Sequence, residues 1–492
     1  MKDVSQVVSK YNNTLCISTD GKVMAWGDNT YGQLGSAFID YPIPTKVPMS
    51  GKMGFVAAGT NSSFVISTSG DLYGCGANED GELGLGDCYS KTNYSVISSN
   101  TVQVAAGGHH TLAVKADSSL WAWGYNYYGQ LGDGTTAKKT APVKVMENVA
   151  QVAAGSYHTL AVKADGSLWA WGRNYYGQLG DGTTVDKKTP IKVMENVVQV
   201  AAGGYLTLAV KADGSLWAWG YNYYGQLGDG TSGSDNNKTT PVKIMDNVVQ
   251  VATGGYHTLA VKADGSLWAW GRNYYGQLGD GTSSSANSKP TLVKIMDNVS
   301  HVAAGGYHTL AVKADGSLWA WGANSDGQLG DGNMDYRKPT PIIIMDNVVQ
   351  IAAGDYHTLA VKTDGSLWAW GSNYYGQLGQ GTKGFSETPI QIMQINNSSS
   401  TTNISFDDLE VKRICVVNWD TNGDGELSKT EAAAVTDLGE VFKENKEIKS
   451  FDELQYFTSV TKLNFGEFYN CSSLASIILP NSLRSTGQNV FC

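Results

Sequence analysis

A block of roughly 48 residues recurs eight times along the chain. Its clearest marker is Gly-Gln-Leu-Gly, which begins at Gly32, Gly129, Gly177, Gly225, Gly276, Gly327 and Gly376, with Gly81-Glu82-Leu83-Gly84 as the variant copy. Successive markers lie 49, 48, 48, 48, 51, 51 and 49 residues apart. That period is too long for a heptad and suits one four-stranded blade of a β-propeller. The spacing predicts an all-β ring of eight four-stranded blades, with seven blades and an irregular end as the alternative. It spans residues 1–395 and is followed by a small α-helical appendage.

The strand reading comes from a single copy. After Val152 the chain reads Ala153-Ala154-Gly155, His158-Thr159-Leu160-Ala161-Val162-Lys163, Asp165-Gly166, Leu168-Trp169-Ala170-Trp171-Gly172, Gly177-Gln178-Leu179-Gly180 and Pro190-Ile191-Lys192-Val193-Met194. Asp165-Gly166 between two β-favouring runs predicts a hairpin with a two-residue primed turn. Trp169 and Trp171 alternate with Leu168 and Ala170, so both faces of that strand are apolar and must be covered. Stacked blades cover them, and an isolated blade could not. Val4-Ser5-Gln6-Val7 aligns with Val248-Val249-Gln250-Val251, and no such strand follows Met393. The chain start is therefore expected to complete the sheet at the chain end.

Composition agrees with a turn-rich β protein: 59 glycines in 492 residues, and 16% charged side chains. Net charge is −10, of which the segment from Asn396 onward carries −6. Without a clustered basic surface, a nucleic-acid partner is not expected. The six cysteines have no Cys-x-x-Cys spacing and do not recur with the repeat, so neither a metal knuckle nor a disulfide framework is expected. There is no 18-residue apolar run for a transmembrane segment, and Met1 stands at the start of a repeat, leaving no secretory leader in view.

Ala-Ala-Gly-Gly-Tyr-His-Thr-Leu-Ala-Val, Leu-Trp-Ala-Trp-Gly-x-Asn and Gly-Gln-Leu-Gly together resemble the repeat of the regulator of chromosome condensation (RCC) family. The likeness covers roughly residues 1–395. Propellers of that family usually have seven blades, and the eighth copy here favours eight.

Slots that repeat verbatim belong to fold maintenance. The histidine slot holds His110, His158, His257, His308 and His357, but Asn13, Ser62 and Leu206 in the other copies, so no catalytic role depends on it. Two slots beside the marker do vary. One holds Tyr125, Arg173, Tyr221 and Arg272, and the next holds Tyr127, Tyr175, Tyr223, Tyr274 and Tyr374. Read plainly they are tolerated loop residues. Read functionally they form an aromatic rim for a protein or glycan ligand.

Beyond the ring, residues 396–458 read as a linker holding an EF-hand-like loop. Asp420, Asn422 and Asp424 fall at positions 1, 3 and 5, Gly425 at the sharp turn, Glu426 offers its carbonyl at position 7, and Glu431 stands at position 12. Oxygen donors at that spacing fit Ca²⁺, and the competing reading is a solvated acidic turn. Leu409 to Trp419 is the expected entering helix and Thr430 to Leu438 the exiting one. A lone loop favours a structural clamp over a switch. Residues 459–492, with Phe468 and Phe491 twenty-three apart, resemble a partial leucine-rich repeat of the BspA-like bacterial surface proteins, broken off in mid-unit.

These resemblances imply an extracellular or cell-surface interaction or adhesion scaffold without catalytic activity. The alternative implied by the RCC likeness is a guanine-nucleotide exchange or chromatin-associated regulator of a small GTPase. An enzyme would need a unique polar constellation, whereas the ring's Asp, Glu and His mostly recur at turn or loop slots.

Overall fold

The computed structural model describes residues 4–35, 41–46, 52–375, 377–378, 384–393, 403–421, 425–464, 466–487 and 490. It divides into two compact units, residues 2–395 and residues 396–492, the latter grouped with Met1.

The first unit is a propeller of eight four-stranded antiparallel sheets, each built from consecutive strands. Blade 4 represents them all, with strands Val149–Ala154, His158–Lys163, Leu168–Gly172 and Lys187–Met194. The first strands of neighbouring blades touch one another around the axis. Blade 1 comprises Val4–Lys10, Asn13–Ser18, Val23–Gly27 and Tyr41–Lys46. Blade 8 comprises Val348–Ala353, His357–Lys362, Leu367–Asn373 and Gly384–Met393.

This phase corrects the expected closure. Val4–Lys10 pairs with Asn13–Ser18 in its own sheet, and the last sheet is complete without it. Every repeat opens on its axial strand and ends on its outer one, so each blade is one contiguous segment. The ring closes instead by side-chain bonds between blades 8 and 1. His357 Nε2 lies 2.8 Å from Ser9 Oγ, and Trp26 Nε1 donates to the Gln377 carbonyl at 2.9 Å.

The hairpin also differs in detail from its expectation. Gly166 has φ +80°, whereas Asp165 is not in the left-handed region. The Gly166 N–H bonds the Lys163 carbonyl, and Lys163 N–H bonds that of Ser167, which gives a three-residue loop with glycine at its left-handed position. Asp165 Oδ1 accepts instead from the Ser167 N–H and hydroxyl at 2.9 and 2.6 Å. Its turn role is therefore an Asx contact.

The two tryptophans of the third strand have different fates. Trp171 is wholly buried, while Trp169 is half-buried under the Lys163 ammonium at 5.1 Å. The buried indole makes the seam between blades. Trp171 Nε1 and Thr159 Oγ1 both donate to the main-chain carbonyl of Gln130, in the preceding blade's marker, at 3.0 and 2.8 Å. The indole bond recurs from Trp26, Trp123, Trp219, Trp270 and Trp321. In blade 2, Cys75 Sγ replaces the indole on Gln33 O at 3.3 Å.

The rest of the marker serves the same seam. Gln130 Oε1 accepts the Tyr128 N–H, and the Leu131 N–H reaches Asn126 Oδ1. The final glycine lies flat on the next blade's indole: a Cβ on Gly180, at φ +80°, would stand 2.7 Å from Trp219 Nε1. A histidine relay completes the contact. Thr159 Oγ1 gives its proton to Gln130 O, so it accepts from His110 Nε2 at 3.0 Å.

In the second unit, α1 (Leu409–Trp419) starts at an Asp408 cap, and α2 (Lys429–Ala434) starts at a Ser428/Glu431 capping box. The exiting helix is shorter than expected, because Val435 turns to extended backbone. Residues 404–490 share one core in which Phe442 stacks on Phe468 at 5.2 Å, spanning both segments read separately from the sequence.

Two outcomes follow from the seams. Gly180→Ala combines left-handed strain with the clash on Trp219 and should cost about 3 kcal/mol in chemical denaturation. Unchanged stability would contradict this packing. Burial lowers His110, His257 and His357 to about 3, and His158 and His308 to about 4. The unfolded chain therefore takes up protons near pH 6.5 that the folded ring refuses. Stability should fall as pH drops from 6.5 toward 4, each histidine adding about 1.4 kcal/mol per pH unit. His158→Leu, copying Leu206 of the next blade, should flatten that acid limb in denaturation curves taken across the window.

Candidate functional site

The marker loops project side chains onto one mouth of the ring. Tyr127, Tyr175, Tyr223 and Tyr374 are 67%, 65%, 50% and 59% exposed, while Tyr274 and the alternating residues Tyr125, Arg173, Tyr221 and Arg272 are half-buried. The reason is local. Each loop's asparagine is fully buried and holds the loop shut, as Asn174 does by donating to Asp181 Oδ1 and the Thr183 carbonyl, at 2.9 and 3.0 Å. The residues on either side of that asparagine then face outward.

Arg173 and Arg272 are not free charges. The Arg173 guanidinium lies 4.7 Å from the Tyr128 ring, 5.5 Å from Tyr157 and Tyr205, and 6.0 Å from Tyr175. Arg272 is boxed in the same way by Tyr224, Tyr256, Tyr274 and Tyr307 at 5.0 to 5.8 Å. Tyr221 fills the equivalent box in blade 5, with its ring 4.7 Å from Tyr176. Each cation on several ring faces adds about 1 kcal/mol of attraction and leaves N–H donors for a ligand. Blades 3 to 6 thus carry one continuous tyrosine-arginine arc. Blade 7 extends it through Tyr336 and Arg337, whose Nη1 donates to the Tyr274 carbonyl at 2.7 Å.

The arc then stops, since blade 7 has Ala323, Ser325 and Asp326 at the marker slots. Tyr374 in blade 8 is separated from the other candidates by this gap. The remaining seams carry Asp355, Asp28, Glu79, Asp80 and Glu82, so the mouth is aromatic and cationic on one side and acidic on the other.

Sequence reasoning passed over the tyrosines that make the boxes, namely Tyr128, Tyr157, Tyr176, Tyr205, Tyr224, Tyr256 and Tyr307. They recur, and recurrence reads as fold maintenance. It also passed over the axial cavity of about 480 Å³, lined by Lys10, Tyr11, Tyr205, Tyr256, Tyr307 and Asp355 among others. Lys10 stands where the other seven blades carry glycine, and its Nζ donates to the Ala106 carbonyl at 3.0 Å. Burial lowers this ammonium to about 8 against the opposing pull of Asp355, whose own carboxyl burial pushes up. The signal for Lys10 was its break with the repeat.

In the second unit, Asp420 Oδ2 accepts the Gly425 N–H at 2.8 Å, and Gly425 has φ +75°. Glu431 Oε1 accepts from Thr421, and its Oε2 from Ser428. Glu426 directs its carboxylate away to Lys412 Nζ, at 2.7 Å. Asn422 and Asp424 lie outside the described residues.

The RCC1-like domain matches residues 1–195 and 93–349, and the regulator of chromosome condensation (RCC1) repeat matches residues 348–377 and 364–405. The chain belongs to the RCC1-like family. Human WBSCR16 is similar in structure at a TM-score of 0.56 and 25% identity, over 69% of this chain and 98% of that one. Prp20p of Saccharomyces cerevisiae, described with its binding to Gsp1p and histones, reaches 0.55 and 26% identity over 68% and 88%. The human probable E3 ubiquitin-protein ligase HERC6 is 40% identical over 96 residues, 18% of this chain. The match spans about a tenth of that ligase's length, at 9%. Among the described residues, no helix of this RCC1-like chain is long and apolar enough to cross a membrane.

Proposed function

We propose that this RCC1-like propeller is a non-catalytic interaction scaffold whose contact face is the tyrosine-arginine arc of blades 3 to 6. The observation that carries this reading is the arc's construction. Boxed guanidiniums and exposed phenols give a rigid, amphipathic surface of the composition enriched at protein and glycan contacts, at little ordering cost on binding. Prp20p, by its description, binds proteins, which is in keeping with such a role. The same likeness supports a second reading, regulation of a small GTPase. The ligase activity named for the HERC relatives is not part of the proposal, because so little of their length is matched.

The second unit is proposed to bind one Ca²⁺ through Asp420, Asn422, Asp424, the Glu426 carbonyl and Glu431, as a clamp on its own fold. The Gly425-to-Asp420 bond and the Glu431 carboxylate turned back toward Thr421 support that reading. Their donors are hard oxygens, and the cation would compete with the Thr421 hydroxyl for Glu431. An extracellular or cell-surface setting for the scaffold is proposed on the BspA-like resemblance of residues 459–492. The short parallel pairing of Lys462–Leu463 with Ser485–Thr486 is in keeping with it.

The combined substitution of Tyr127, Tyr175, Tyr223 and Tyr274 by serine should cut partner capture at least tenfold while leaving the melting temperature nearly unchanged. Capture retained by that variant refutes the arc as contact face, and a small GTPase captured through it selects the second reading. Calorimetric titration of the full chain with Ca²⁺ should show one site that Asp420→Ala and Glu431→Gln remove. No heat at millimolar Ca²⁺ would exclude the clamp.

A further inference from the structure

The seam between blades 2 and 3 departs from the repeat at three slots at once. Blade 3 has Tyr128 and Gln130 in its marker loop, facing Tyr157 of blade 4. Blade 2 has Asp80 and Glu82, facing His109 of blade 3. The ring brings these three replacements together. His109 Nδ1 lies 3.9 Å from Asp80 Oδ2 and 3.8 Å from Glu82 Oε1, and one ligand atom from each residue falls within 4.8 Å of the others.

The fold does not require this charge. Glu82 Oε2 accepts the Asp80 N–H at 2.9 Å, and Gln130 Oε1 makes the same loop bond to the Tyr128 N–H at 3.1 Å. The seam bonds from Thr111 and Trp123 go to the Glu82 main-chain carbonyl, which is indifferent to the side chain. An amide would serve the loop equally well, so the second carboxylate adds only charge and a ligand atom. The surroundings fix the set. The His109 ring stacks on Tyr157 at 6.1 Å with an 18° tilt, and Glu82 is almost buried. Lys138 Nζ is 3.9 Å from the outer oxygen of Asp80 and bonds the Glu79 carbonyl. His109 itself is exposed, which leaves an entry path from solvent.

We propose that this seam is a divalent transition-metal site. It would hold Zn²⁺ through His109 Nδ1, Asp80 Oδ2 and Glu82 Oε1, with water completing the coordination. One imidazole and two carboxylates are a donor set suited to that ion. With metal-ligand bonds of about 2.1 Å, ligand atoms on a tetrahedron stand about 3.4 Å apart. The two separations from His109 Nδ1, 3.9 and 3.8 Å, close to that with a contraction of about half an ångström, which rotation of the exposed imidazole supplies, and the two carboxylate oxygens already lie within 4.8 Å of each other.

The test is a titration of the full chain with Co²⁺ and then Zn²⁺, in excess Ca²⁺ to keep the C-terminal loop out of the measurement. One equivalent of Co²⁺ should bind with a visible ligand-field band that Zn²⁺ abolishes. His109→Tyr and Glu82→Gln each install the residue of a neighbouring repeat, so both variants should fold with unchanged melting temperature in metal-free buffer. Each should weaken binding at least tenfold. No binding at millimolar Co²⁺ and Zn²⁺, or undiminished binding in both variants, overturns the site.

Discussion

At six of its eight seams the ring is held by one recurring bond, from a buried indole N–H to the main-chain carbonyl of the preceding blade's marker. A buried tryptophan brings a large apolar surface and one donor that gains from a partner; Trp370 Nε1 is buried without that bond, and its seam keeps the threonine bond from Thr358 to the Gln328 carbonyl. That donor can reach the carbonyl only if the residue two places after it carries no Cβ, which is why Gly180 lies against Trp219. The threonine hydroxyl shares the carbonyl, and the histidine satisfies the threonine. Marker, tryptophan, threonine and histidine are thus a single device. Blade 2 shows its tolerance, with a cysteine thiol in the indole's place.

Because this device uses main-chain carbonyls and buried groups, it leaves the outer residues of each loop unconstrained. Variation accumulates there, on either side of a buried asparagine that changes little. The tyrosine-arginine arc and Asp80 occupy such positions, whereas Glu82 replaces the buried glutamine itself and His109 stands in the loop that follows the axial strand. A repeat that must be uniform to close can carry chemical individuality only on its mouth, and at the few axial slots such as Lys10.

Much of this was legible in the residues themselves. The propeller fold followed from the marker's period, and the variable Tyr/Arg slots stood out because their neighbours did not vary. The tyrosines that complete the boxes did not stand out, since Tyr157 and Tyr205 recur like the core. Only their meeting with Arg173 from the adjacent loop gives them a role. The closure was misread for a related reason. Alignment shows that Val4 to Val7 match an inner strand, but not whether that strand belongs to the sheet before it or after it, which hydrogen-bond pairing alone decides.

The repeat period, the strand chemistry and the oxygen-donor spacing from Asp420 to Glu431 were set by the residues alone, because period, alternation and ligand spacing are properties of the chain, whereas eight blades rather than seven was settled by the sheets themselves. The tertiary structure decided how the ring closes, which tryptophan is core, and which charges share a seam. Those depend on contacts between residues tens to hundreds of positions apart: His109 meets Asp80 across one seam, and His357 meets Ser9 across the whole ring. Linear spacing carries no information about such distances until the sheets are stacked.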